Sequence, residues 1–263
     1  MKRLIIKAKK AVYAHQHGIF SASLGEGFDF VELIEYDYLS DAKKIDWMAY
    51  AKTGQAYMKL YQEEHMRNIT IIPLMSGTLY FGFFRLKWEM LLESLALIGF
   101  SALASKDNLS LISEKSHILK ISNEYELENA ITSIAHTPII GKTFSYNLDE
   151  LFYRLTQKHL IILVGDFLDP FSLKLLPTKH EVVAIAFASR AKHFFKETIV
   201  KDTQSLNERS VKLTPKSIDN YSKKIDTLQQ EHLIQLKKAG CDTLTIYEDE
   251  DIFTKLQLFF GSR

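Results

Sequence analysis

Hydroxyl and carboxylate side chains follow two apolar stretches that have the character of buried strands. Ser76-Gly77-Thr78 comes after the apolar run at residues 69–74, and Asp166 ends the run at residues 160–166. In an open α/β sheet, ligands bind in the crevice outside the carboxyl ends of the strands. If these two strands are neighbours, the hydroxyls and the carboxylate meet in one crevice, which could hold a cation or an anion. An oxygen-rich site would also have a carboxylate two residues before Ser76, where this chain has Leu74.

A second motif, Gly141-Lys142-Thr143, has the ending of a phosphate-binding loop. The first glycine of that loop would fall at position 136, which is His136, and Pro138 interrupts the stretch whose backbone amides should face phosphate. The motif therefore does not predict ATP binding.

A third motif places Asp166 and Asp169 three residues apart. A haloacid-type phosphotransferase needs its two aspartates two residues apart, so this spacing does not fit that class of enzyme. We interpret Asp169 as a helix cap before Pro170. No Gly-x-Ser-x-Gly elbow surrounds any serine. Sequence evidence for covalent catalysis is therefore absent, and a nucleotide-dependent or hydrolytic enzyme is an alternative that rests only on Gly141-Lys142-Thr143 and the Asp166/Asp169 pair.

Composition excludes several classes of partner. The 263 residues carry a formal charge of +1, from 33 basic and 32 acidic residues, so no global field favours nucleic acid or an anionic membrane. The most apolar window, residues 90–104, contains Glu93 and is shorter than the ~20 residues that cross a bilayer. The single cysteine, Cys241, fits a reducing compartment. We expect a cytoplasmic protein without nucleic-acid binding or stable membrane insertion.

Strands alternate with helices from about residue 67 onward, which predicts an α/β fold with a doubly wound, mainly parallel sheet. Residues 1–66 are expected to form an N-terminal helix/β extension that packs on the main domain, residues 67–263. Among the main-domain elements, a helix that is apolar on nearly all faces is predicted at residues 79–105 and should be buried on both sides. Other expected elements are a hairpin at residues 108–121, a weak strand at 207–213 and a long helix from Pro215 to Gly240.

Several segments together resemble the bacterial family known as domain of unknown function 58. They are Gly25-Glu26-Gly27-Phe28-Asp29-Phe30, Glu32-Leu33-Ile34-Glu35-Tyr36, Asp41, Ile45-Asp46-Trp47, Ala51-Lys52-Thr53-Gly54 and Glu63-Glu64. The resemblance continues through residues 69–82, Gly141-Lys142-Thr143 and Gly165-Asp166-Phe167, where the family has Ser-Asp-Phe. It implies a von Willebrand factor A-like, Rossmann-like domain after the N-terminal signature.

In that fold a metal-ion-dependent adhesion site consists of an Asp-x-Ser-x-Ser loop, a threonine and a distant aspartate. The resemblance carries these roles to Ser76, Thr78, Thr143 and Asp166, whereas Leu74 replaces the leading aspartate. Mg²⁺ usually takes one or two carboxylates in proteins. The resemblance therefore implies a degenerate site without a cofactor, at which any Mg²⁺ would bind weakly. We expect its hydroxyls to hydrogen-bond one another and Asp166.

Proteins resembling this family are thought to act as adaptors or co-chaperones of MoxR-type AAA+ ATPases. The resemblance implies a non-enzymatic interaction module whose partners are such an ATPase and other protein clients. Its working surfaces would be the crevice and the segment at residues 41–54, including Asp41, Asp46 and Trp47. The alternative is a divalent-cation-dependent ligand-binding module, in which a carboxylate of the ligand completes the coordination of the metal.

Overall fold

The structure is a computed structural model, and it describes residues 1–14, 24–25, 29–36, 45–62, 66–112, 117–144, 147–190, 198–201, 208–211 and 215–261. The chain divides into two compact units. The smaller unit is Ser21–Met66, and the larger unit combines Met1–Phe20 with Arg67–Arg263. The larger unit therefore contains the N-terminal helix, which the sequence pattern assigns to the extension.

Both units contain helices and strands, and those between Ser21 and Met66 belong to the smaller unit. The α-helices are α1 Lys2–Tyr13, α2 Trp47–Thr53, α3 Lys87–Ala104, α4 Glu124–Ala135, α5 Leu151–Arg154, α6 Leu176–Lys179, α7 Pro215–Lys238 and α8 Ile252–Gly261. The strands are β1 Leu24–Gly25, β2 Asp29–Glu35, β3 Tyr57–Gln62, β4 Asn68–Pro73, β5 Asn108–Ile112, β6 Ile118–Ile121, β7 Leu160–Gly165, β8 Glu181–Ala188, β9 Thr198–Lys201, β10 Glu208–Val211 and β11 Asp242–Tyr247. Gly77–Tyr80 and Leu148–Glu150 form 3-10 turns.

Six strands form the central sheet, in the order β11-β8-β7-β4-β5-β6. All neighbouring pairs are parallel except β5 and β6, which form the predicted antiparallel hairpin. The mainly parallel α/β architecture is thereby confirmed. From β4 the chain adds β5 on one side, whereas β7, β8 and β11 extend the sheet on the other. The order of the strands thus reverses between β4 and β7, and such a switch point is where ligands bind in open α/β sheets.

Each face of the sheet packs against its own group of helices. Ile69 and Ile71 of β4 belong to an apolar cluster with α1, α3, α4 and α8, and Ile72 belongs to a second cluster with α5, α6 and α7. α3 is buried along nearly all of its length because α1 covers its outer side, where Lys7 Nζ lies 3.3 Å from Glu93 Oε1. The prediction that this helix is covered on both sides is confirmed.

The predicted start of α3 at residue 79 is wrong, because the helix begins at Lys87. Residues 77–80 form a 3-10 turn, and the chain then bends sharply at Gly82. A Cβ atom at Gly82 would lie 1.9 Å from the Arg85 carbonyl oxygen, so this bend requires glycine. The consequence is that Lys87 lies in the first turn of a buried helix, near the end of β4.

Two smaller sheets lie outside the central one. In the smaller unit β3 pairs antiparallel with both β1 and β2. In the larger unit β10, which overlaps the weak strand predicted at residues 207–213, pairs antiparallel with β9. The strand β9 is not anticipated by the sequence pattern. Among the helices that the structure describes, none has both the length and the apolar character needed to cross a membrane.

Candidate functional site

The ends of β4 and β7 come together at the switch point of the sheet. Pro73 pairs with Val164, and the backbone N–H of Leu74 donates a hydrogen bond to the Val164 carbonyl at 2.8 Å. Leu74, Ser76 and Asp166 line one small pocket, together with Phe144, Phe167, Leu168, Asp169 and Phe171. The pocket has room for about one water molecule.

The two hydroxyls of the loop after β4 bond to each other. Ser76 is buried and Thr78 is half-buried, and their hydroxyl oxygens lie 2.6 Å apart. Ser76 also caps the following 3-10 turn, because its hydroxyl accepts a hydrogen bond from the Thr78 N–H at 3.3 Å. The hydroxyls thus stabilise the turn that leads toward Lys87.

The carboxylate of Asp166 pairs with a lysine that sequence reasoning did not identify. Lys87 Nζ lies 3.5 Å from Asp166 Oδ2, and both side chains are almost completely buried. The sequence did contain a signal: Lys87 stands between Leu86 and Trp88 in a segment predicted to be buried on all faces. A charged side chain in such a helix needs a partner of opposite charge.

Thr143 does not join the other predicted site residues. Its side chain is exposed and is not among those that line the pocket. The loop meets the segment after β4 through its backbone, because the Gly77 N–H donates to the Lys142 carbonyl at 2.9 Å. Gly141-Lys142-Thr143 comes shortly after α4, whereas a phosphate-binding loop follows a strand.

The interpretation of Asp169 as a helix cap is wrong. No helix begins at Pro170, and residues 170–173 have no regular structure. The Asp169 carboxylate instead accepts a hydrogen bond from the Phe144 N–H at 2.7 Å. Asp169 therefore fastens the loop that contains Thr143 to the loop after β7.

Gly165 permits a close approach between the ends of β4 and β7. A Cβ atom at this position would lie 2.8 Å from the Leu74 Cβ and 3.3 Å from the Leu74 carbonyl oxygen. Leu74 itself is 4% exposed and belongs to the apolar cluster that contains Ile72 and Phe167. The two departures from the family pattern, Leu74 and Gly165, are thus in direct contact.

Two polar residues of α7 hold the backbone on the far side of Asp166. The Gln229 amide donates to the carbonyls of Asp166 and Phe187, at 2.6 and 2.9 Å. His232 Nδ1 lies 2.7 Å from the Phe167 carbonyl oxygen. On this helix Gln229 is buried, whereas its apolar neighbour Leu228 is exposed.

The position of Gln229 could have been found from its spacing. It lies four residues after Ile225 and four before Leu233, so it shares their side of the helix. Because a buried amide must be hydrogen-bonded, its spacing indicates a polar contact beneath α7.

The residues at the crevice do not fit a bound divalent metal. Asp166 already faces a buried ammonium group, and Asp169, the other carboxylate that lines the pocket, accepts the Phe144 N–H. Leu74 offers no ligand atom, and Thr143 lies away from the pocket. Over the described part of the chain, no group of three or more histidine, cysteine, aspartate or glutamate side chains could hold a metal ion. Mg²⁺ prefers oxygen ligands that include carboxylates, so the donor set is inadequate.

A second candidate surface lies on α2 in the smaller unit, within the segment at residues 41–54 that the resemblance marks as a working surface. The helix has clear caps: Asp46 accepts hydrogen bonds from the backbone of Met48 and Ala49, and Gly54 adopts φ 71°. The exposed side chains Trp47, Met48 and Tyr50 form what we call the α2 surface.

Trp47 and Met48 are 64% and 71% exposed, and the rings of Trp47 and Tyr50 meet edge to face. Of the three residues predicted to bind a partner, Trp47 is exposed and Asp46 caps the helix. Asp41 lies outside the described residues.

Two histidines lie near the amino ends of β7 and β8, at the opposite edge of the sheet. The His159 N–H donates to His180 Nδ1 at 3.2 Å, and His159 Nδ1 lies 2.8 Å from the Thr70 hydroxyl. Burial, with His159 and Lys179 nearby, lowers the pKa of His180 to about 4. Burial and Lys179 also lower the pKa of His159.

The comparisons with known proteins identify a family. No curated protein and no solved structure matches the chain. The family described as protein of unknown function DUF58 matches residues 32–214, which include α2, the crevice and the Gly141-Lys142-Thr143 loop. Because this match covers more than half of the sequence, the chain belongs to the DUF58 family.

Proposed function

We propose that this protein is a non-enzymatic interaction module with a von Willebrand factor A-like domain, and that it acts in the cytoplasm as an adaptor or co-chaperone of a MoxR-type AAA+ ATPase. The proposal rests on the family resemblance for the identity of the partner. The observation that carries the interaction role is the α2 surface, where Trp47 and Met48 expose most of their side chains.

The arrangement of α2 suits a recognition role. Aromatic residues and methionine are enriched at protein interfaces, and tryptophan is prominent among the residues that dominate binding energy. Asp46 fixes the first turn of the helix, so Trp47 and Met48 are presented on a capped element. The surface also falls within the part of the chain that matches the family.

The crevice supports the proposal that the protein is not an enzyme. Its carboxylate is paired with Lys87, its hydroxyls bond to each other, and it has room for about one water molecule. Small-molecule sites usually enclose several hundred Å³, so the crevice is too small for a typical substrate.

Co-elution and ATP turnover test this proposal. The full chain is mixed with the purified MoxR-type ATPase of the same organism and passed over a sizing column in ATP, in ADP and without nucleotide. We expect co-elution in at least one nucleotide state and a changed rate of ATP hydrolysis. Separate elution in all three states, together with an unchanged rate, would refute the adaptor role.

A further inference from the structure

Lys87 occupies a position that is unfavourable for a positive charge on two counts. It is 2% exposed, and transferring an ammonium group out of water is costly unless the group is paired. It is also the first residue of α3, where the partial positive charge of the helix end repels cations. The one acidic residue in the first turn, Glu89, is exposed, so the partners of the buried ammonium must lie elsewhere in the fold.

Those partners are a carboxylate and an aromatic ring. The ammonium nitrogen lies 3.5 Å from Asp166 Oδ2 and 5.9 Å from the centre of the Phe81 ring. The segment after β7 and the segment before α3 therefore both supply a partner for this ammonium group. The exposed Asp226 of α7 adds a longer-range interaction: burial raises its pKa, and the Lys87 charge opposes that rise.

The Asp166 carboxylate depends on this pairing. Its Oδ2 atom is buried and accepts no hydrogen bond, so the ion pair with Lys87 is what compensates for its removal from water. The hydroxyls of Ser76 and Thr78 are engaged with each other, and Leu74 adds only apolar surface. Without a cation at this point, the buried carboxylate would be left uncompensated.

We propose that the Lys87 ammonium is the resident cation of the crevice, in the role that a divalent metal would otherwise have beside Asp166. The cation is thus part of the chain, in the first turn of α3, and the Asp166 charge is compensated without metal. Folding around this crevice is independent of divalent cations. The inference concerns the crevice itself and does not depend on the identity of the partner.

A thermodynamic cycle tests the pairing. Lys87→Met and Asp166→Asn each leave one buried group without its partner, and we expect each to lower the Tm by about 10 °C. The double variant Lys87→Met/Asp166→Asn removes both members and should lose clearly less than the sum of the two single changes. Additive losses, or a single loss of less than about 2 °C, would overturn the proposal.

An exposed lysine pair supplies the matched control. Lys223 Nζ lies 2.7 Å from Asp219 Oδ2 on α7, and both side chains are mostly exposed. Lys223→Met should change the Tm by no more than about 2 °C, because exposed ion pairs contribute little. An equal loss for Lys87→Met and Lys223→Met would show that burial of the pair has no special role.

Cation rescue tests the role of the ammonium directly, and it also works if the methionine variant does not fold. Lys87→Ala should regain Tm in millimolar ethylammonium or Mn²⁺, since either cation can compensate Asp166, whereas Lys223→Ala should not respond. The wild-type chain should show no heat in calorimetric titration with Mn²⁺ and no rise in Tm. Stoichiometric Mn²⁺ binding by the wild type that Asp166→Asn abolishes would refute the proposal, as would no rescue of Lys87→Ala by either cation.

Discussion

At the scale of single residues, Leu74 and Lys87 both bear on our proposal that the crevice needs no metal. Leu74 packs apolar surface in the core where the family resemblance implies a metal ligand, and Lys87 brings a positive charge to the Asp166 carboxylate. Either residue without the other would leave the charges in the crevice uncompensated. With Asp at position 74 a third carboxylate would face the pocket, beside Asp166 and Asp169, and without Lys87 the Asp166 Oδ2 atom would have no partner among the described residues.

This complementarity predicts the outcome of restoring the acid. Leu74→Asp should destabilise the fold by about 3 kcal/mol or more, because it removes buried apolar atoms and buries a polar group. We expect this variant not to bind Mn²⁺, since Lys87 already occupies the cation position. The double variant Leu74→Asp/Lys87→Met should bind Mn²⁺, measured by calorimetric titration and by a rise in Tm.

The control is a triple variant that adds Asp166→Asn to the double change and should lose the metal response. Equal affinity for Mn²⁺ in Leu74→Asp and in the double variant would contradict the assignment of Lys87 as the resident cation.

The sequence pointed to the crevice but not to the ion pair within it. Ser76 and Asp166 could be located because each follows an apolar run whose length and composition indicate a buried strand. The apolar pattern of the sequence does not indicate that Lys87 contacts Asp166. Their contact depends on the bend at Gly82, which starts α3 eight residues later than the apolar pattern suggests.

At the scale of elements, α7 connects the carboxyl ends of β7 and β8 through side-chain hydrogen bonds. Gln229 donates to the carbonyl of Asp166, just beyond β7, and to the carbonyl of Phe187 in β8. It therefore links the ends of the two strands. His232 adds a contact to Phe167, which has the unusual φ of 52°. The strained turn after Asp166 is thus held from the helix side.

Removing the hydrogen bonds of Gln229 should lower the stability of the fold. Gln229→Leu leaves two carbonyls without a donor, and we expect the free energy of unfolding to fall by about 2–4 kcal/mol. The neighbouring exposed Gln230 provides the matched control, because Gln230→Leu should change this free energy by less than about 0.5 kcal/mol. Urea unfolding of both variants makes the comparison, and equal midpoints would show that the contacts of Gln229 do not stabilise the fold.

The elements differ in how well local patterns predict them. β7 and β8 are evident because continuous apolar runs mark parallel strands that are covered on both faces. α2 is short and has a weak amphipathic pattern, so its helical structure depends on the caps at Asp46 and Gly54. The aromatic residues between these two positions make that capping signal hard to recognise in the sequence. Among the described strands, β9 pairs with β10 in a two-stranded sheet outside the central one, so it lacks the continuous apolar run of β7 and β8.

At the scale of the whole molecule, acid should destabilise the larger unit through His180. The unfolded imidazole takes up a proton near pH 6.5, whereas burial keeps the folded imidazole neutral down to about pH 4. The unfolded state therefore binds more protons in this interval, and stability falls as the pH is lowered through it. The contribution of His180 amounts to about 3 kcal/mol at most.

Denaturant titrations of the wild type and His180→Gln between pH 4 and pH 7 check this prediction. Because carboxylates elsewhere also titrate in acid, the informative quantity is the difference between the two chains. We expect the wild type to lose more stability than the variant as the pH falls. Parallel curves over the whole interval would show that His180 does not couple folding to protons.

The central claim is that the chain acts by binding an AAA+ partner through the α2 surface, and a Kd measurement tests it most directly. The immobilised full chain is titrated with the MoxR-type ATPase, in the wild type, Trp47→Ala and Tyr153→Ala. Tyr153 is an equally exposed aromatic residue on α5 and is the matched control.

We expect the wild type to bind, Trp47→Ala to raise the Kd by about tenfold or more, and Tyr153→Ala to change it by less than about twofold. Absence of wild-type binding, or an equal loss in both variants, would contradict the account.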